Sequence, residues 1–276
     1  MTTDRSILRN WYYSMPLTWR KLVRKIYYLP KDLLNSRKSF VPPDGENFIG
    51  PGDFEKIGLE FFGYLRQYTN IHPNAHILEV GCGMGRMAAP MTSYFNNGSY
   101  HGFDIVEEGI QWCKEKVAPN HPRFHFQIVD IYNKLYRPNG KLKAEAFSFP
   151  YQNEQFDIVL LTSVFTHMPA NEMEHYLSEI CRVLKKKGQA FITVFLIDEE
   201  TKELQSLGKS FLQFIFPLEN CYTINEQIPE SNIAFDWEFF KNAFQRHSFT
   251  LEAKLNGSWS GRKDFVSFQD IIILRK

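Results

Sequence analysis

From His76 to Leu274 the chain alternates short apolar runs with stretches of helical period, and this alternation constrains the fold more than any other feature. Strands are expected at His76–Val80, Ser99–Phe103, Phe124–Val129, Phe156–Leu161, Ala190–Phe195, Phe249–Leu255 and Ile271–Leu274. Helices are expected near Arg86–Tyr94, Glu107–Lys116, Asn171–Leu184 and Trp237–Arg246, with another starting after the N-cap candidate Asp53. Runs such as Ile158-Val-Leu-Leu161 are apolar on both faces of a strand, so the sheet should be parallel and covered by helices on both sides. The expected fold is therefore α/β, a Rossmann-like doubly wound sheet of seven strands. Such sheets bind ligands beyond the strand carboxyl ends, at the topological switch, so function should lie in the loops after the strands.

The first of these loops is the most informative. In Ile77-Leu-Glu-Val-Gly-Cys-Gly-Met-Gly-Arg86, Gly81, Gly83 and Gly85 let the backbone approach a ligand closely, and the next helix offers free N–H groups. Asp104 closes the second strand, where a carboxylate can accept ribose hydroxyls. Gly83-Met-Gly85-Arg-Met-Ala88 also satisfies a GxGxxA dinucleotide fingerprint, which brings in an NAD-dependent oxidoreductase as an alternative. A tight turn for strand-to-helix packing explains one of these glycines but hardly three.

Glu79-Val-Gly-Cys-Gly-Met-Gly85 resembles the first motif of class I S-adenosylmethionine-dependent methyltransferases. Asp104 is similar to the acidic end of their second strand, and Val129-Asp130-Ile131 to the adenine-contacting end of the third. Phe156–Leu161 with Thr162-Ser-Val-Phe-Thr-His-Met168 resembles their fourth strand and its loop, and Arg182-Val-Leu-Lys-Lys-Lys-Gly188 the approach to the fifth, with Lys for the usual Pro. The resemblance implies S-adenosylmethionine as cofactor and a last strand antiparallel to the others. It also implies cofactor contacts from Glu79, Gly81, Cys82, Gly83, Gly85, Arg86, Asp104, Ile105, Asp130, Ile131, Thr162 and Ser163. Tyr132–Ala146 is a Lys- and Tyr-rich insertion, and the resemblance places an acidic adenine contact shortly before a Pro-Phe pair, here Phe149-Pro150 in altered order, so Glu145 competes with Asp130 for the adenine amino group. Asp130 is favoured because it directly ends an apolar strand.

Methyl transfer is an in-line displacement, and a hydroxyl acceptor benefits from a general base. His167, on the loop after the fourth strand, is the candidate for that base or for orienting the acceptor; shaping the loop is its structural alternative. Asp157 begins a strand at the opposite end and is expected to be structural. No convergent Asp/Asn/His set specifies a magnesium ion, so no metal site is assigned. Asn256-Gly-Ser-Trp-Ser-Gly-Arg-Lys-Asp264 should emerge on the cofactor face, where Trp259 and Arg262 would offer a stacking surface and a forked donor to a sugar or other flat polar acceptor; burial of Trp259 over the core is the alternative. Tyr222 joins them as a substrate-binding candidate from 196–236, a variable piece expected to form an acceptor lid.

The expected reaction is O-methylation of a small molecule or glycan, with a peptide or natural-product carboxylate or amine as alternative acceptor. A noncatalytic cofactor-binding protein is a further alternative. The chain has 276 residues and a net charge of +1, which gives no support for a nucleic-acid partner. That total hides a split: residues 1–38 hold nine basic and two acidic side chains, a net +7, leaving −6 for the remainder. Six aromatic residues interleave with these cations, and Leu17–Leu34 has apolar residues at roughly helical spacing. This head is expected to be a cap docked on the acidic remainder, with peripheral membrane contact left open. Pro42–Gly52 is turn-rich, so the expected division is a cap or linker over 1–52 and a methyltransferase domain over 53–276. Asp4, Arg5, Arg9 and Asn10 interrupt any signal-like apolar run, and Cys82, Cys113, Cys181 and Cys221 are widely spaced. Both features are read as those of a cytoplasmic protein with reduced thiols.

Overall fold

The computed structural model describes residues 15, 17–34, 36–50 and 52–276. Its helices are α1 (Leu17–Leu34), α2 (Phe54–Tyr68), α3 (Ala88–Met91), α4 (Glu107–Lys116), α5 (Ala170–Val183), α6 (Glu199–Ser206) and α7 (Trp237–Arg246). The strands are β1 (His76–Val80), β2 (Ser99–Asp104), β3 (Phe124–Ile128), β4 (Phe156–Leu161), β5 (Leu184–Val194), β6 (Leu196–Ile197), β7 (Phe216–Leu218), β8 (Cys221–Thr223), β9 (Ile233–Asp236), β10 (Thr250–Leu255) and β11 (Asp270–Arg275).

Seven strands form one sheet in the order β10-β11-β5-β4-β1-β2-β3. The β1–β2, β2–β3, β1–β4 and β4–β5 pairs are parallel, whereas β11 is antiparallel to both β5 and β10. The order reverses between β1 and β4, which places the switch point there. Alternate residues feed two cores, as a pleated strand requires. Leu78, Val80, Val159 and Leu161 meet Leu177 and Ile180 of α5 and Phe240 and Phe244 of α7. Ile77, Ile158, Leu160 and Phe191 meet Leu65 of α2 and Ile110 of α4 on the other face.

Three expected elements differ. The helix expected over 86–94 shrinks to α3, because Pro90 has no N–H for the Arg86 carbonyl and the flanking residues turn instead. The strand expected at Ala190–Phe195 starts six residues earlier, as β5, where the Lys185 ammonium binds both oxygens of Asp157 at 2.8 and 2.9 Å. Asp157 also accepts from the His76 N–H at 2.8 Å, so it fastens the end of the sheet away from the switch point. The region 196–236, expected only as a lid with no strands assigned to it, contributes a second sheet, β6-β9-β8-β7.

Candidate cofactor and acceptor site

The turn after β1 is built on left-handed backbone. Gly81 has φ +71° and Gly83 φ +53°, and the space a Cβ would fill is already taken by Val164 and Ile49, respectively, at 2.6 and 2.5 Å. Any larger residue would both strain the turn and collide. The Ile49 contact also shows that the segment before α2 covers this loop, and Phe40, Val41, Phe48 and Ile49 pack there with Met84, Phe54 and Ala89. Asp104, at the end of β2, clamps the turn from the neighbouring strand. One carboxylate oxygen accepts from the Gly83 N–H at 2.7 Å and the other from the Val106 N–H at 2.8 Å. Burial raises the Asp104 carboxyl pKa, and these backbone donors oppose the rise.

Glu79 lies buried at the end of β1, and burial pushes its carboxyl up to about 8. The Tyr100 phenol donates to one of its oxygens and the Thr162 hydroxyl reaches the other at 3.5 Å. Tyr100 can do this because Gly102 stands opposite Glu79 in the β1–β2 ladder and leaves the diagonal open. The Arg86 guanidinium is mostly buried, attracts Glu79, and has an Nε with no hydrogen-bond partner. Cys82 is buried beside Gly102, where desolvation raises its thiol pKa strongly, so its side chain serves packing.

Beyond β3, the Asp130 carboxylate binds Arg137 at 3.0 Å, and the same guanidinium donates to the Ile105 carbonyl at 3.2 Å. Arg137 thus joins two of the expected cofactor positions, and the sequence reading did not single it out. The Lys- and Tyr-rich insertion was the available signal. Glu145 points elsewhere, to Asn171 at the start of α5. Ile131 is buried in the main core. After β4, Ser163 adopts φ +60° and its N–H donates to Thr193 Oγ1 at 2.8 Å. Its hydroxyl donates to Gln269 Oε1 at 3.1 Å, so the ends of β4, β5 and β11 share one polar cluster.

His167 ends a short 3₁₀ turn (Phe165–His167) and contacts the Glu230 carbonyl through Nδ1 at 2.7 Å. Accepting is the only role open to that carbonyl, so Nδ1 carries the proton and neutral Nε2 keeps its lone pair. Burial lowers the imidazole pKa from its usual 6.5. Tyr136 of the insertion meets the ring edge-on, with centroids 5.7 Å apart. A cleft of about 570 Å³ adjoins Glu230 and is also lined by Ala170, Asn171, Glu219, Cys221 and Phe239.

The C-terminal loop corrects the expectation for Trp259 and Arg262. Trp259 is fully buried against Phe195 and Phe214, and its indole N–H donates to Asp270 at 2.8 Å. No ring face is left for an acceptor. Arg262 is buried as well; its Nη2 is held by Asp198 and its Nε by Glu200 at 2.8 Å, while Nη1 is buried without a hydrogen-bond partner. Tyr222 sits on β8 of the small sheet, partly buried beside the same cluster.

Residues 78–192 match the family model described as a methyltransferase domain, which takes in the glycine turn, Asp104, Asp130 and the loop after β4. This stretch of the chain, from the third residue of β1 into β5, is therefore a methyltransferase domain. Phthiotriol/phenolphthiotriol dimycocerosates methyltransferase 1 of Mycobacterium ulcerans is 26% identical over 144 residues, 52% of this chain and 46% of that protein. An O-methyltransferase of Pyrenophora dematioidea is 28% identical over 151 residues, 52% of this chain and 47% of that protein. The chain therefore spans about half the length of these curated relatives. Magnesium protoporphyrin IX methyltransferase from Synechocystis, solved with bound S-adenosylhomocysteine, shares the fold with a TM-score of 0.52 at 12% identity, covering 99% of this chain and 100% of that one.

Proposed function

We propose that this chain transfers the methyl group of S-adenosylmethionine to a hydroxyl of a small molecule or glycan. The residues present suit that cofactor. The orphaned Arg86 Nε is a ready donor for its carboxylate, and the Glu79 carboxyl beside it is an acceptor for its ammonium. Asp104 would hold the ribose and Asp130 the adenine, with Ile105 beside them. When bound, S-adenosylmethionine supplies an electrophilic sulfonium methyl.

The observation that carries the hydroxyl assignment is His167, whose Nδ1–H is fixed on the Glu230 carbonyl. That contact fixes the tautomer with a neutral Nε2 lone pair, which suits removal of an alcohol proton as the new bond forms. The cleft beside Glu230 is the acceptor site in this reading, walled by Leu218 and Cys221 of the small sheet, while Tyr222 faces the Trp259 cluster instead. The name of the Pyrenophora relative supports the same acceptor atom. Incubation with methyl-labelled cofactor and a panel of alcohols, sugars, amines and carboxylic acids tests the proposal. Label should appear first in hydroxyl acceptors; transfer confined to amines or carboxylates would move the assignment to the alternative acceptors.

A further inference from the structure

An amphipathic helix on a globular protein ordinarily docks by its apolar stripe and shows its charges to water. In α1 this arrangement is inverted. At 3.6 residues per turn, Leu22, Leu33, Ile26, Trp19, Val23, Leu34 and Tyr27 fall on one arc of roughly 140°. All seven are exposed, with Tyr27 at 75%, Leu33 at 77% and Ile26 at 63%. The opposite, charged arc is the one that meets the protein. Lys21 pairs with Glu108, Lys25 with Glu46 at 3.1 Å and Lys31 with Asp44 at 3.0 Å. Arg24 donates to the Asp44 carbonyl at 3.3 Å, and Asp32 accepts from the Asp44 and Gly45 N–H groups at 2.8 and 2.9 Å. The helix is thus anchored through polar groups, and a contiguous apolar strip with two aromatic rings faces outward. Patches of that kind on a folded protein mark an interaction surface.

We propose that this outward face of α1 docks on an anionic lipid surface. Charge decides between lipid and the other apolar partner at hand, a second copy of the chain. Residues 17–38 carry seven Lys and Arg against Asp32 as the only acidic side chain. Two such helices packed face to face would bring their cations together at the margins, whereas lipid phosphates would meet those cations with the opposite sign. Around the helix, Lys31 flanks the Tyr27 edge of the strip and Lys25 borders the opposite edge, so each margin has a cation long enough to reach a headgroup. The Lys25 and Lys31 side chains remain more than half exposed in their ion pairs. Exposed pairs contribute little, so exchanging a carboxylate for a lipid phosphate is nearly neutral. Trp19 and Tyr27 suit the headgroup level, where an aromatic ring keeps one end apolar and the other wet. No helix among the described residues is long and apolar enough to cross a membrane, so the contact is with the surface. It does not depend on the proposed methyl transfer.

The test is co-sedimentation of the full chain with vesicles of phosphatidylcholine alone and of phosphatidylcholine mixed equally with phosphatidylglycerol. Binding should favour the anionic vesicles and weaken as salt rises from about 0.1 M to about 1 M, over which the screening length falls from about 10 to about 3 Å. The double substitution Ile26→Asp, Leu33→Asp should lower partitioning at least about tenfold. Both positions are exposed, so the circular dichroism and thermal unfolding should stay those of the parent chain. Trp19→Glu, made separately, should act in the same direction. Failure of the folded parent chain to bind anionic vesicles would overturn the proposal, as would variants that bind as well as the parent. A dimer in light scattering that the double substitution dissolves would also overturn it, in favour of the second copy.

Discussion

Replacing His167 by alanine is expected to lower methyl-transfer turnover by about 10²–10⁴-fold, the usual range for loss of a positioned general base. Affinity for S-adenosylhomocysteine should barely change, because His167 contacts Glu230 and Tyr136 rather than the glycine turn or Asp104. The pH profile supplies a readout that a structural role would leave unmoved. Burial disfavours the imidazolium, so the base form should persist below the usual imidazole value of 6.5, and the acid limb of kcat/KM should lie on that lower side. The stability sign is opposite to that of a histidine that gains an acidic partner. The unfolded chain takes up the His167 proton first, so this histidine's contribution is present above the unfolded value and lost as pH falls through the lower folded one. His167→Ala with unchanged turnover would leave this residue the task of shaping the loop after β4.

Asp270→Ala is expected to produce the largest loss of stability. The carboxylate is completely buried and accepts from the Trp259 indole, from the Gly257 N–H at 2.8 Å and from the Leu196 N–H at 3.0 Å. Alanine would strand three buried donors belonging to the C-terminal loop, β6 and the aromatic cluster. At about 1–3 kcal/mol for each stranded group, partly relieved by relaxation or water, the loss should reach about 3–5 kcal/mol in denaturant unfolding. Asp270→Asn keeps an acceptor oxygen and should lose less. Burial raises the Asp270 carboxyl to about 6. Its extra stability is therefore complete below the unfolded value near 3.8 and is lost as pH rises through about 6. The Asn variant should lack that dependence. An Asp270→Ala chain as stable as the parent would refute the role of Asp270 as the hub of this region.

The sheet and its switch point were legible because β1, β4 and β5 are apolar on both faces, a pattern only a doubly covered sheet satisfies. Left-handed turns were legible through glycine, as at Gly81 and Gly83. Pairings between segments distant in sequence were not. Nothing local to Arg137 shows that the insertion folds back onto Asp130 and Ile105. Trp259 and Arg262 have the composition of a sugar platform. Their burial is decided by partners distant in sequence, Phe195, Phe214, Asp198 and Glu200. The amphipathic period of α1 was plain, but periodicity does not say which face docks. That choice rests on where Asp44, Glu46 and Glu108 lie.

The central claim is that the turn after β1, held by Asp104, forms one half of an S-adenosylmethionine site. Calorimetric titration of the folded chain with S-adenosylhomocysteine, in parallel with NAD, tests it most directly. The expected result is one S-adenosylhomocysteine bound per chain and no heat from NAD, with Asp104→Ala at least about a hundredfold weaker. A folded chain that binds NAD, or that does not bind S-adenosylhomocysteine at all, would contradict it.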